Sequence, residues 1–298
     1  MVNAPEKILI KDWVHFCDVS NQLEGYGQDT NDTVIFRGHR DGAWEKFIPS
    51  LYRDILTRKA KSEEIYEIEK ALKDAFVGKW FLNEMKPYLE HRALFRMLYI
   101  MQHYGIKTRV LDWTLSWKVA AYFATEKKGE DDEEGAVWCV NKTHVENRFR
   151  DICQQYDKRS ECVGKSIGHN YCWDVTNANK CPVRKPNNQI QCNAIFFKDV
   201  LSTSTDVRMM IQASIFTYCP NPLADHLECV AKVLKEDTEK YCKKMIIPPA
   251  LKPEFRSQLR QSHYTREKLF PVINQDNNKE VFEGIINKFV EEARWEKR

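Results

Sequence analysis

Apolar positions along this chain change their spacing from segment to segment, and the spacing predicts the elements. Between Ser62 and Met85, Ile65, Ile68, Leu72, Ala75, Phe76 and Trp80 recur among charged neighbours at helical intervals. Ser62, Glu63 and Glu64 suit the start of that helix, where acidic groups meet the positive end of the dipole. A second helix is expected over Arg92–Tyr104, carrying Leu94, Phe95, Leu98 and Met101 and stopping at Gly105. Further helices are expected over Lys11–Leu23, Ser116–Ala124, Lys252–Gln261 and Val281–Glu292.

Short β-rich runs read as strands at Thr33–Phe36, halted by Gly38, and at Thr108–Leu111. Others follow at Ala136–Val140, Ala194–Val200, Ala213–Tyr218 and Met245–Ile247. The inventory is α+β, read as one domain over residues 1–298. Residues 147–193 are polar, rich in Cys, Asn and Lys, and weakly periodic, which predicts a peripheral insertion.

A chain of 298 residues with 43% hydrophobic and 30% charged positions can bury a sizeable core. Its formal net charge of +3 is nearly neutral for that length, so charge alone points to neither nucleic acid nor membrane. No signal-peptide or membrane-spanning run is found, and a cytoplasmic location is expected. Ten cysteines include no Cys-x-x-Cys pair. Cys162, His169, Cys172 and Cys181 do not have the spacing of a common zinc finger, so reduced thiols packed as small hydrophobes are expected and no metal.

Candidate chemistry gathers in two stretches. In Phe36-Arg-Gly-His-Arg40 a strand ends on an arginine beside glycine, which suits a guanidinium fork presented to a diphosphate or carboxylate. In Met101-Gln-His-Tyr-Gly-Ile-Lys-Thr-Arg-Val-Leu-Asp-Trp-Thr114, polar and aromatic groups crowd around one glycine. Thr114 or Ser116 can serve as the N-cap of the next helix. His103, Tyr104, Arg109, Asp112 and Trp113 exceed what a cap needs and suggest a pocket wall. A hydroxyl-rich turn, Leu201–Asp206, and Gln212 ahead of a strand follow later.

The order FRG…W…PSLYR, QHYGIKTRVLDWT…AAYFA, R…Q…IFT and KMIIPPALKPEFRSQLRQSHYTREKLFP resembles the FRG domain family over about Thr33 to Phe270. One departure is Ser214, where the family usually has glycine two residues after the glutamine. The pattern in turn resembles arginine-type ADP-ribosyltransferases. That resemblance implies a split mixed sheet with flanking helices and NAD as a substrate. Arg37, Gly38, His103, Tyr104, Arg109 and Trp113 are then expected to bind NAD, and Asp112, Thr114 and Gln212 to stand nearest the chemistry. No Glu stands within two residues of Gln212, so Asp112 is the expected substitute for the usual carboxylate.

The expected activity is transfer of ADP-ribose to a macromolecular acceptor, protein or nucleic acid, in a toxin or antiviral defence effector. An inhibitor or antitoxin protein is the further partner such a role implies, and no membrane. Two other readings are a nucleic-acid binding or cleaving module and an inert interaction domain that kept the fold without its Glu. Fold-level likeness does not choose among them.

Overall fold

The computed structural model describes residues 4–25, 32–57, 106–126, 132–156, 195–199, 207–219 and 223–271, with single helical positions at 68, 69, 71, 72, 74, 98, 101 and 102. Its centre is one mixed sheet of seven strands in the order β1-β7-β4-β2-β3-β6-β5. The strands are β1 (Glu6–Leu9), β2 (Val34–His39), β3 (Val110–Thr114), β4 (Gly135–Asn141), β5 (Phe196–Asp199), β6 (Ser214–Tyr218) and β7 (Cys242–Ile247). β1 runs parallel to β7, and every other neighbouring pair is antiparallel.

Period-two alternation sorts the apolar side chains onto two faces. Val34, Phe36, Val137, Cys139 and Met245 face a layer containing α1 (Trp13–Gly25), α3 (Trp117–Thr125) and α8 (Lys252–Gln261). Ile35, Leu111, Trp113, Trp138 and Ile215 face a second layer, with Phe47, Val145 of α4 (Lys142–Tyr156) and Leu227 and Val230 of α6 (His226–Leu234). β4 lies between two neighbours and two helical layers and is buried throughout, which explains its unbroken apolar run. The remaining α-helices among the described residues are α2 (Ser50–Thr57), α5 (Val207–Ile211), α7 (Thr238–Tyr241) and α9 (Arg266–Leu269). No helix among the described residues is long and apolar enough to cross a membrane.

Helix α3 sits unusually close to the sheet, and two glycines make room for it. A Cβ on Gly38 would stand 2.0 Å from the Ala120 carbonyl oxygen, and one on Gly135 would stand 2.4 Å from that of Ala124. Ala120, Ala121 and Ala124 supply the small face on the helix side.

Several boundaries differ from the sequence expectation. β2 continues through Gly38 to His39, because Gly38 is spent on helix packing and not on ending the strand. β3 begins at Val110 and carries Asp112, Trp113 and Thr114 within it. The cap of α3 is Ser116, whose Oγ accepts from the Val119 N–H at 3.4 Å. Helix α4 runs on to Tyr156, so the segment read as an insertion begins inside a helix. Residues 157–193, with Cys162, His169, Cys172 and Cys181, lie outside the described residues, as do Leu201–Asp206 and the helix expected over Val281–Glu292. The helices expected over 62–85 and 92–104 are described only at the single positions given above. The sequence reading did not anticipate β1, α2, α4, α5, α6, α7 or α9. β1 has only four residues and alternates half-buried with exposed positions, while α6 buries seven of its nine residues and leaves only the narrow stripe of Glu228 and Lys232 exposed.

Candidate functional site

β2 and β3 share a single register pair, Phe36 with Thr114. β2 pairs with β4 over six residues and β3 with β6 over five, so the sheet is tight on either side and opens between them. The Arg37 side chain spans that opening. Its Nη1 donates to the backbone carbonyl oxygen of Asp112, replacing a ladder bond, and its Nε donates to His39 Nε2 at 3.0 Å. His39 Nδ1 lies 3.2 Å from the Trp44 carbonyl oxygen, so Nδ1 carries the proton and Nε2 is the acceptor.

Burial holds His39 neutral and pulls it down to about 3; neighbouring Arg37 adds to the lowering, against the Trp44 carbonyl bond. Burial also lowers the Arg37 guanidinium to about 10, opposed by the Asp112 carboxylate and assisted by Arg53. It stays cationic at neutral pH, with the N–H groups of Nη2 uncommitted among the described residues.

A cavity of about 220 Å³ lies over this opening. Arg37, Asp112, Thr114 and Gln212 line it, as do Gln102 and Arg208, which the sequence reading did not single out as site residues. The Asp112 side chain is exposed, and its Oδ2 accepts from Gln102 Nε2 at 2.6 Å. Gln102 Oε1 in turn accepts from the Thr108 hydroxyl at 2.5 Å, which fixes the amide's orientation. Gln102 immediately precedes His103 in the crowded stretch, and Arg208 stands one helical turn before Gln212. Those spacings were the available signals.

Thr114 is a brace. Its hydroxyl donates to the Gln212 carbonyl at 2.7 Å and accepts from the Ser116 N–H at 3.0 Å, joining the end of β3 to the turn ahead of β6. In that turn Ala213 takes the left-handed conformation, φ 45°, while Ser214 is an ordinary strand residue paired with Thr114. Gln212 Nε2 donates to the Leu269 carbonyl at 2.8 Å, so this side chain ties α9 to the cavity rim.

Three expected roles meet a different arrangement. Trp113 is 3% exposed; its ring packs edge-on to Phe47 and its indole N–H donates to Thr217 Oγ1 at 3.0 Å, so it floors the cavity from the core and presents no face for stacking. Arg109 is equally buried and bound in two places to Glu69, with Nε to Oε1 at 2.7 Å and Nη2 to Oε2. It is spent on a structural ion pair and does not line the cavity. Gly38 lines the cavity, but the space a side chain would take there belongs to Ala120. His103 and Tyr104 lie outside the described residues.

The arrangement sets a cationic fork and a carboxylate side by side in a part-open cavity, both held by neutral hydrogen-bond partners. Among the described residues no group of three His, Cys, Asp or Glu is placed to hold a metal ion. A family model described as the FRG domain matches residues 32–133, about a third of the chain. The matched span contains β2, α2, β3 and α3, and with them Arg37, Asp112 and Thr114. No curated protein and no solved structure matches the chain.

Proposed function

We propose that this cavity takes NAD and that the protein transfers its ADP-ribose to a macromolecular acceptor. The observation that carries the reading is the pairing of Arg37 with Asp112 in one cavity, where Asp112 is the one carboxylate among the described lining residues. A volume of about 220 Å³ is below the usual range for a whole drug-sized ligand. It suits the nicotinamide end, with the rest of the dinucleotide following the open side.

In this reading the Nη2 fork of Arg37 holds the diphosphate by charge-assisted hydrogen bonds, fixing the reacting ribose relative to Asp112. The bond between C1′ and the nicotinamide nitrogen breaks heterolytically. Nicotinamide keeps the electron pair and leaves neutral, because its ring nitrogen was cationic. Positive charge develops on the ribose, and the Asp112 carboxylate stabilises it. The acceptor's O–H or N–H attacks C1′, and its proton passes to that carboxylate.

Calorimetric titration of NAD into wild type and Arg37→Lys, with nicotinamide release measured in parallel, tests this. An ammonium cannot reproduce a bidentate fork, so Arg37→Lys should lose about 2 kcal/mol or more of NAD binding. Equal affinity in the two proteins, or no binding by wild type, would refute the reading.

A further inference from the structure

A second cavity, of about 390 Å³, lies where α3, α8 and α9 meet. Its lining is cationic and aromatic: Arg256 and Arg260 of α8, Arg266 of α9, and the rings of Tyr122 and Tyr264. Phe255 and Leu259 anchor α8 in the core, while Arg256 and Arg260, one turn apart, share a stripe facing the cavity. Arg256 Nη1 donates to the Thr125 carbonyl at 3.0 Å, and Arg266 Nη1 donates to Glu126 at 3.1 Å. Arg260 is exposed. Lys118 and Lys268 stand 5.9 Å and 6.0 Å from the centre of the Tyr264 ring. Five cations therefore surround two half-buried tyrosines, against the carboxylates of Glu126 and Glu267.

This cavity adjoins the first through one aromatic ring. Phe270 packs edge-on to Phe123 of the first cavity, with centroids 5.9 Å apart. Arg208 of the first cavity lies 4.6 Å from the Phe270 ring, and Arg266 of the second lies 5.4 Å from it. Tyr122 and Phe123 are consecutive on α3, one lining each cavity.

We propose that the second cavity docks a single-stranded nucleic acid, its phosphates on Arg256, Arg260 and Arg266 and a base against Tyr264. Calling that strand the acceptor rests on the ADP-ribosyltransferase reading; the docking itself does not. Guanidinium groups interleaved with aromatic rings are the chemistry of single-strand binding, because every base has a face to stack and every linkage a charge to neutralise. A concave site takes an unstacked nucleotide more readily than the rigid surface of a duplex. An acidic peptide would use the cations but leave the tyrosine faces without a role.

The test is fluorescence anisotropy of end-labelled oligothymidylate and oligouridylate, about 20 nucleotides long, with the full chain. Wild type should bind saturably and more weakly as salt rises. Arg260→Glu should weaken binding about tenfold or more, and Tyr264→Leu should weaken it with little change in salt dependence. Lys232→Glu makes the same charge change at an exposed position of α6, across the sheet, and should bind within about twofold of wild type. Absence of binding by wild type, or equal loss in Lys232→Glu, overturns the proposal. Displacement by polyglutamate as readily as by unlabelled oligonucleotide also overturns it and assigns the groove to acidic peptides. Strand binding without NAD consumption would remove the enzymatic reading and leave the docking site; NAD consumption without strand binding would do the reverse.

Discussion

The Arg37 guanidinium meets Asp112 at its backbone carbonyl and leaves the carboxylate to Gln102. The two functions of Asp112 are thereby separable. Its main chain helps close the opening between β2 and β3, and its exposed side chain faces the cavity.

Asp112→Asn should therefore keep the fold while removing the charge. The backbone contact to Arg37 is untouched, and an amide oxygen can still accept from Gln102. The melting temperature should stay within a few degrees of wild type, while nicotinamide release falls by about a hundredfold or more, as for other lost transition-state groups. An Asp112→Asn protein that is fully active but unstable would assign this side chain to structure.

Gly38→Ala should be among the most damaging small substitutions in the chain. The added Cβ would meet backbone of α3, with Ala120 O at 2.0 Å and Ala124 N at 2.8 Å, and no flexible side chain can yield there. Moving the helix also disturbs Val119 and Phe123 in the cavity wall. Overpacking of this kind costs at least about 1–3 kcal/mol. At Gly42, by contrast, the nearest atom to a Cβ is Glu134 Cβ at 3.1 Å, so Gly42→Ala should cost less. Urea unfolding of the two variants checks the order; equal losses would show that α3 is not held by this contact.

Stability should decline on mild acidification. His39 and His226 are both lowered to about 3, chiefly by burial and further by Arg37. In the unfolded chain each takes up a proton below about pH 6.5, while the folded protein excludes it. Their contribution is complete above about pH 6.5 and is lost as pH falls from there towards 3. Each histidine costs about 1.4 kcal/mol per pH unit within that window. His226 Nδ1 lies 2.9 Å from Thr217 Oγ1. Its Nε2 has no hydrogen-bond partner among the described residues. In His226→Gln, the fall in unfolding free energy between pH 6.5 and 5 should shrink by the share of one histidine. An unchanged slope would show that His226 is protonated in the folded state.

Much of the fold was legible in the sequence, because periodicity and punctuation act over a few residues. Helix α8 has the expected bounds, and the cores of β2, β4, β6 and β7 lie where β-rich runs were read. The two stretches singled out for chemistry do meet: Arg37 and Gly38 share a cavity with Asp112, Thr114 and Gln212. Local pattern was enough for that because each stretch concentrates groups that an ordinary surface does not need.

What the sequence by itself determined, then, was the kinds of element and the residues worth watching. Only the tertiary structure decided which of those residues look into the cavity. Placing the end of β3 at Leu111 left Asp112, Trp113 and Thr114 as a loop, free to converge on one ligand. As strand residues they alternate, so Asp112 and Thr114 turn to the cavity, while Trp113 packs into the opposite core and meets the cavity only as its floor. Arg109 was expected among the NAD-binding residues, but Glu69, forty residues earlier, holds it in an ion pair. A partner that distant leaves no trace in local pattern, because burial and pairing belong to the assembled sheet and not to the residues beside them.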